Sequence, residues 1–302
     1  MIRTVLGDME IPAGPILAHE HLQIDLSHNK GADNVFGAEE EPDVVADLKL
    51  TVERYGLSGI ADLSPTGGGR NVKALARISR NTNVAVVAST GYYWEPLPNI
   101  VAESSEDRLV EIMTAEIETG AEGSDHRCGI IKVGTFEDSF STATKKLFRA
   151  AARTSLATGA PVVTHTEKPY QAPWHVEVLQ SAGMDMSRAL ISHLHKYETI
   201  DQIERVANTG AFIGIDQIGF ARGMTMPQMA DVAVGCIKTG FVDHVIISSD
   251  MARKSRFLKN GGTSYTTVFA AFLDLLRERG VTEGQIYTLL QVNPRRLLTL
   301  RR

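Results

Sequence analysis

Eight short apolar runs recur along the chain, each followed by a stretch of helical periodicity, and that alternation leaves few folds open. The runs fall at 16–21, 58–63, 84–88, 128–133, 161–165, 189–193, 211–215 and 245–250. Val84-Ala85-Val86-Val87-Ala88 is apolar throughout, the pattern of a strand buried on both faces. Between the runs, the spacing predicts helices over 43–55, 71–80, 105–119, 143–158, 173–182, 199–208 and 227–239. Asp43 suits the start of the first, while Gly56 and Gly159 suit helix ends. Two further helices, over 268–279 and 283–292, close the chain, and residues 2–11 predict an N-terminal β-hairpin turning at Gly7-Asp8. With right-handed crossovers throughout, this is the pattern of a (β/α)8 TIM barrel with extra C-terminal helices. A doubly wound open sheet is the rival, but it would place a glycine-rich phosphate loop after the first strand, where this chain has two histidines. Without a linker or low-complexity tract, residues 1–302 are expected to form one domain.

Composition narrows the partners. Of 302 residues, 43% are hydrophobic and 22% charged, enough apolar side chain for a large core. The net charge of -5, with acids and bases interspersed, argues against a general nucleic-acid or anionic-membrane surface and leaves room for a local basic pocket. Cys128 and Cys236 form neither a CxxC pair nor a disulfide framework. No apolar run is long enough to span a bilayer, and the opening residues lack a signal-peptide core. These features predict a cytoplasmic protein acting on small molecules.

In a barrel, chemistry gathers at the carboxyl ends of the strands. The polar residues there are His19 and His21 on strand one, Lys132 on four, His165 on five, His193 on six and Asp250 on eight. Each interrupts or ends an apolar run, a poor place for an unpaired ionisable group. On a strand, side chains two apart share a face, so His19 and His21 project together while Glu20 points away. Two imidazoles side by side can take two positions on one metal ion. Taken alone, such a pair is equally a histidine couple with no ligand; the other strand ends tip the reading toward two metals. Lys132 is no ligand as an ammonium, and would otherwise be an ion-pair partner. Carboxylated by carbon dioxide, it becomes an anionic oxygen donor able to bridge two cations.

The motifs Ala18-His19-Glu20-His21-Leu22, Ile131-Lys132-Val133-Gly134, Thr164-His165-Thr166, Ser192-His193-Leu194 and Ser248-Ser249-Asp250-Met251-Ala252 carry a family resemblance. Thr4-Val5-Leu6-Gly7, Gly261-Gly262 and Asn293-Pro294 fit it too. In this order and spacing, the chain resembles the phosphotriesterase-related branch of the amidohydrolase superfamily along essentially its whole length. The resemblance implies a centre of two divalent metals, zinc first, with manganese or cobalt as alternatives. It implies His19, His21 and Asp250 on the more buried metal, His165 and His193 on the exposed one, and carboxylated Lys132 with a hydroxide as bridges. The hydroxide would attack an ester or lactone carbonyl, or a phosphoryl group, with Asp250 as general base.

Tyr93 matches a tyrosine that lactone-hydrolysing relatives carry near the metals; its other reading is an aromatic packed over the barrel rim. Many relatives have a proton-relaying acid two or three residues after the strand-six histidine. Here the chain reads His193-Leu194-His195-Lys196, so His195 is either the relay or a loop histidine. His28, His126, His175 and His244 fall in helical or loop stretches and are not expected as ligands. Arg253 matches a position where the subgroup acting on phosphorylated lactones and N-acyl amino-sulfonates holds an anion. Arg222 and Arg256 lie in loops seven and eight beside it. Such a charge cluster is otherwise a solvated face. The first reading is therefore a metal-dependent hydrolase of an ester or lactone with an anionic group. N-acyl amide hydrolysis is the alternative, with phosphotriester cleavage as a side activity. A non-catalytic binding barrel is the reading from another class, and loss of Lys132 or Asp250 would have favoured it. Related barrels are often dimers, so a homodimer is an open expectation.

Overall fold

The computed structural model describes the chain apart from residues 94–95, 137–139, 169, 197–198, 221–222 and 302, and apart from the side chains of residues 28 and 29. A hairpin of β1 (Ile2–Thr4) and β2 (Gly7–Met9) comes first, pairing Ile2 with Met9 and Thr4 with Gly7. Its turn falls at Val5-Leu6, not at Gly7-Asp8: Gly7 already pairs, at a φ of +120° that suits glycine. The first barrel strand is β3 (Ile16–Glu20), followed by a small ribbon of β4 (Ile24–Asp25) and β5 (Val35–Phe36).

Seven more barrel strands follow: β6 (Gly59–Asp62), β7 (Ala85–Tyr92), β8 (Cys128–Thr135), β9 (Val162–Thr166), β10 (Ala189–Ile191), β11 (Phe212–Ile215) and β12 (Val245–Ile247). They pair in parallel in chain order, as a (β/α)8 barrel requires. β3 and β12 meet at the seam, where Asp250 N donates to His19 O (3.2 Å) and His19 N to Ser248 Oγ (3.1 Å).

Alternation along the strands builds two layers of core. Ile16, Val87, Ile130, Val163, Leu190, Phe212 and Ile246 fill the barrel interior, while Leu17, Val86, Ile131, Val162, Ile191, Ile213 and Ile247 pack outward against the helices. Ile2, Leu297 and Leu298 join the interior set, so the hairpin and the C-terminal tail plug the amino end. The carboxyl end is left for a cavity. Helices Glu41–Tyr55, Val72–Thr82, Glu106–Glu118, Thr142–Thr158, Gln171–Ser181, Ile200–Ala207 and Met226–Lys238 form the outer ring. Local chemistry sets their ends: Asn71, Ser105, Ser141, Thr199 and Thr225 cap N-termini, and Gly56 and Gly159 end helices in the left-handed region. A short helix at Asn99–Glu103 is an addition that periodicity alone did not indicate. None of the described helices is long and apolar enough to cross a membrane.

Candidate metal centre

Four imidazoles, a lysine and an aspartate meet on the floor of a cavity at the carboxyl end of the barrel. His19, His21, Lys132, His165 and Asp250 line it, and His193 lies fully buried against His165 and His19. Lys132 and His165 continue the inward faces of β8 and β9, two residues beyond Ile130 and Val163. Strand one needs a correction of register. Ile16 and Ala18 face the interior and Leu17 the helices, so strict alternation would send His19 outward. A shift against β6 between Leu17 and Glu20 re-aims the strand, and His19 and His21 both reach the cavity, their rings 6.0 Å apart.

Strands six and eight end earlier than their apolar runs. His193 and Asp250 lie beyond β10 and β12 at φ of +65° and +47°, a region costly for side chains with a Cβ. Each is held there by a carboxylate: His193 N donates to Asp216 Oδ1 (2.9 Å), and Glu20 takes the N–H of Ser249 and Met251 on either side of Asp250 (2.6 and 2.8 Å). Close packing beside Lys132 also restricts the sequence. Gly91, at φ +99°, would place a Cβ 2.2 Å from Lys132 O.

Hydrogen bonds on the far side of each ring settle which nitrogen faces the cavity. His19 Nδ1 and His193 Nδ1 donate to the two oxygens of Asp216, at 2.7 and 2.8 Å. His165 Nε2 donates to Glu167 Oε2 at 3.1 Å. Ser64 Oγ donates to Gln23 O and therefore accepts from His21 Nδ1, at 2.7 Å. The four remaining nitrogens carry lone pairs. His165 Nδ1 and His193 Nε2 face each other at 3.0 Å, and His21 Nε2 stands 3.1 Å from Asp250 Oδ1. Two acceptors so close repel unless a cation, a metal ion or a shared proton, lies between them. Two nitrogens about 2.0–2.1 Å from one tetrahedral ion would sit about 3.3 Å apart, so the spacing suits a shared metal. His19, His21 and Asp250 form one group able to hold an ion. A second such group, His19, His193 and Asp216, has its Nδ1 sides already bonded to Asp216, which clamps the two imidazoles from behind.

Electrostatics agree. Burial, with Lys132 nearby, pushes His19 down to about 4, and burial with His193 drives His165 well below its ordinary value, so both rings are neutral at neutral pH. Burial opposes ionisation of Asp216 and Asp250, but the surrounding histidines hold both well below the carboxylate range. Lys132 Nζ is fully buried without a hydrogen-bond partner, and burial lowers its ammonium to about 8. An amine orphaned beside these imidazoles and Asp250 is an unsatisfied buried donor, with room in its chemistry for an added group.

The remaining site candidates fall in different places. Tyr93 lines the cavity, its ring 5.8 Å from that of His165 and 5.2 Å from Lys132 Nζ. Arg253 also lines it, its guanidinium over the Phe220 ring at 5.0 Å. Arg256 points elsewhere. Its guanidinium donates to Ser249 O (2.8 Å), Ile218 O (3.1 Å) and Thr267 Oγ1 (3.2 Å), inside the protein and away from the cavity lining. His195 is neither an exposed loop histidine nor a cavity residue: the turn Leu194–Lys196 tucks it in completely, and burial pushes it down to about 3. Arg222 lies outside the described residues. His126 Nδ1 bonds Val5 O and His244 Nδ1 bonds Ala211 O, while His175 sits between Thr135 and Thr164; the side chain of His28 is outside the described residues.

Sequence reasoning passed over Asp216, Glu167, Gln217 and Ser64. Asp216 ends the apolar run of β11 as His193 and Asp250 end theirs, so the same signal was available for it. Gln217, whose Nε2 donates to Asp250 Oδ2 at 2.9 Å, sits in a loop with no such pattern.

A parallel eight-stranded barrel with histidines and aspartates gathered at its strand ends defines the class, a (β/α)8 barrel carrying a cluster able to hold a metal ion. The chain belongs to the Phosphotriesterase family, whose model matches residues 1–298, and it is a hydrolase of that metal-dependent family. The phosphotriesterase homology protein of Escherichia coli (strain K12) is 31% identical over 287 residues, covering 94% of this chain and 97% of its own. Its crystal structure, complexed with phosphate in the active site, superposes with a TM-score of 0.91 over 95% of this chain and 99% of that one, at 30% identity. The N-acetyltaurine hydrolase of Danio rerio is 28% identical over 349 residues, covering 99% and 98% of the two chains.

Proposed function

We propose that the chain hydrolyses a carboxylic ester or lactone carrying an anionic group, at a binuclear centre held by His19, His21, Lys132, His165, His193 and Asp250. The observation that carries this reading is the set of lone pairs turned inward by far-side hydrogen bonds, above all His165 Nδ1 and His193 Nε2 at 3.0 Å. Zinc suits the imidazole-rich donor set, and manganese or cobalt are accommodated by the same residues. Lys132 joins as a carbamate: its free amine adds to carbon dioxide, releasing a proton and leaving an anionic carboxyl group on Nζ. Divalent cations held here would acidify a water and polarise the scissile carbonyl.

The chain's own residues do the rest. Asp250 takes the proton of the attacking water, and Gln217 Nε2 holds Asp250 Oδ2 in place. Tyr93 flanks His165 and confines the reacting group above the floor. Arg253, on the rim, presents its guanidinium to the anionic substituent. Water adds across the acyl–oxygen bond, giving a carboxylic acid and an alcohol.

Asp250 is bonded to an amide at Gln217, which cannot carry a proton outward, so Asp250 itself delivers the proton to the leaving atom. The likeness to an N-acetyltaurine hydrolase favours the second reading, cleavage of an N-acyl bond next to an anion. Phosphotriester cleavage would be a side activity. Assays of the metal-loaded protein on lactones, phosphorylated lactones, aryl esters, N-acyl amino acids and a phosphotriester separate these. The reading requires the greatest kcat/KM on an ester or lactone, and greatest turnover of an N-acyl substrate would replace it with the second.

A further inference from the structure

On the face that the helix Gln171–Ser181 buries, Gln171 and His175 stand among Ala172, Val176 and Leu179, and both are fully inaccessible to solvent. Four residues apart, they lie one above the other on the helix. Polar groups on such a face are costly unless they are bonded. The bonds that these two make lead to the strand ends and loop around His165.

Gln171 Oε1 accepts from the N–H of Glu167 and of Lys168, at 2.7 and 2.9 Å. It thereby fixes the loop from which Glu167 Oε2 accepts from His165 Nε2, at 3.1 Å. His175 works one turn further along. Its Nε2 meets Thr135 Oγ1 at 2.8 Å, and its Nδ1 meets Thr164 Oγ1 at 3.2 Å, with Thr166 Oγ1 at 3.5 Å. Thr164 and Thr166 flank His165 on β9, and Thr135 ends β8, paired with Thr166 beside the Gly134–His165 pair. The imidazole thus spans both strands at the rung where His165 leaves toward the cavity. Burial pushes His175 down to about 3, with Lys132 adding to the effect, so one ring nitrogen donates and the other accepts. Room beside His165 is short as well: a Cβ on Gly134 would lie 2.8 Å from His165 Cβ.

We propose that Gln171 and His175 are positioning residues that aim His165. Gln171 acts through Glu167, which sets the tautomer and tilt of the ring, and His175 acts through the ends of β8 and β9, which set where the ring starts. Neither lines the cavity. The atom they place is His165 Nδ1, held 3.0 Å from His193 Nε2. A fault in either tie would turn or widen that gap and weaken an ion shared by the two rings. His19 and His193 hang on Asp216 instead, and His21 on Ser64, so the effect is confined to the ion on His165. The inference rests on the proposed metal centre for its consequence and on the hydrogen bonds alone for its geometry.

The test joins spectra of the metal-free protein with a zinc titration. Long-range 1H–15N spectra of the histidine rings report their tautomers, and His165→Ala identifies the His165 signals. In wild type, His165 should carry its proton on Nε2. In His175→Val and in Gln171→Met those signals should move toward a mixture of tautomers, while those of His19 and His21 stay in place. Zinc competition with a chromophoric chelator should show about tenfold weaker binding of the one equivalent that His165→Ala removes, with the other equivalent unchanged. His175→Gln, whose amide again offers a donor and an acceptor, should recover most of both readouts. Should His175→Val fail to fold, Gln171→Met decides. His165 signals that match wild type, or a His165-dependent equivalent as tight as in wild type, overturn the proposal. Equal weakening of both equivalents with all four rings displaced also overturns it, since that marks simple support of the fold. Fewer than two equivalents in wild type would remove the binuclear reading, and the metal-free spectra then decide the positioning alone.

Discussion

His165 Nδ1 stands 3.0 Å from His193 Nε2, and the opposite nitrogen of each ring is held by a carboxylate, Glu167 for the first and Asp216 for the second. Fixing the far N–H leaves two lone pairs nose to nose. Such an arrangement is unfavourable in a dry interior and becomes favourable with a cation between the rings.

Asp216 is the outer partner with most to lose. Both of its oxygens are used, one on His19 and one on His193, and His193 N adds a third bond. Asp216→Asn keeps the shape but replaces one acceptor with a donor, so one imidazole must rotate or change tautomer. Metal affinity should fall about 10–100-fold, measured by competition with a chromophoric chelator. An affinity equal to wild type would mean that the clamp does not orient the ligands.

Lys132 is a prediction about covalent state. Protein assembled in labelled bicarbonate with metal should show a carbamate carbon by 13C NMR, and that signal should be missing from Lys132→Ala. The variant should lose hydrolysis, with partial rescue by a short carboxylic acid filling the vacated space. A bare amine in fully metal-loaded, active protein would contradict the carbamate.

Arg253 and Arg256 are neighbours in sequence with opposite expected phenotypes. Arg253→Ala removes a cavity cation whose buried Nε makes no hydrogen bond, so stability should hardly change. Turnover of an anionic substrate should fall about thirtyfold, about 2 kcal/mol, and turnover of a neutral lactone much less. Arg256→Ala strips buried partners from Ser249 O and Ile218 O, and should destabilise by about 1–3 kcal/mol in urea unfolding. Equal loss on charged and neutral substrates in the Arg253 variant would make that arginine structural.

The contrast shows how far sequence carries. The barrel was legible because each strand is a short apolar run whose burial cannot be had otherwise, and His165 or Lys132 stands out by interrupting one. The fate of a loop residue was not. Arg256 ends a 3-10 turn, Lys254–Arg256, that swings its side chain back under the barrel rim, and the turn Leu194–Lys196 buries His195 while leaving Lys196 on the cavity. Those directions depend on one or two backbone angles, which hydropathy does not encode. Nor does strict alternation foresee the register shift that turns His19 inward.

The central claim is that the inward lone pairs hold two ions. Metal analysis of protein loaded with zinc and freed of excess ions measures this directly, alongside hydrolysis before and after chelation. Two equivalents per chain are expected, with one lost selectively in His165→Ala, and with activity abolished by chelation and restored by zinc, manganese or cobalt. A fully active protein retaining one equivalent or none, or a second equivalent that survives His165→Ala, would contradict the account.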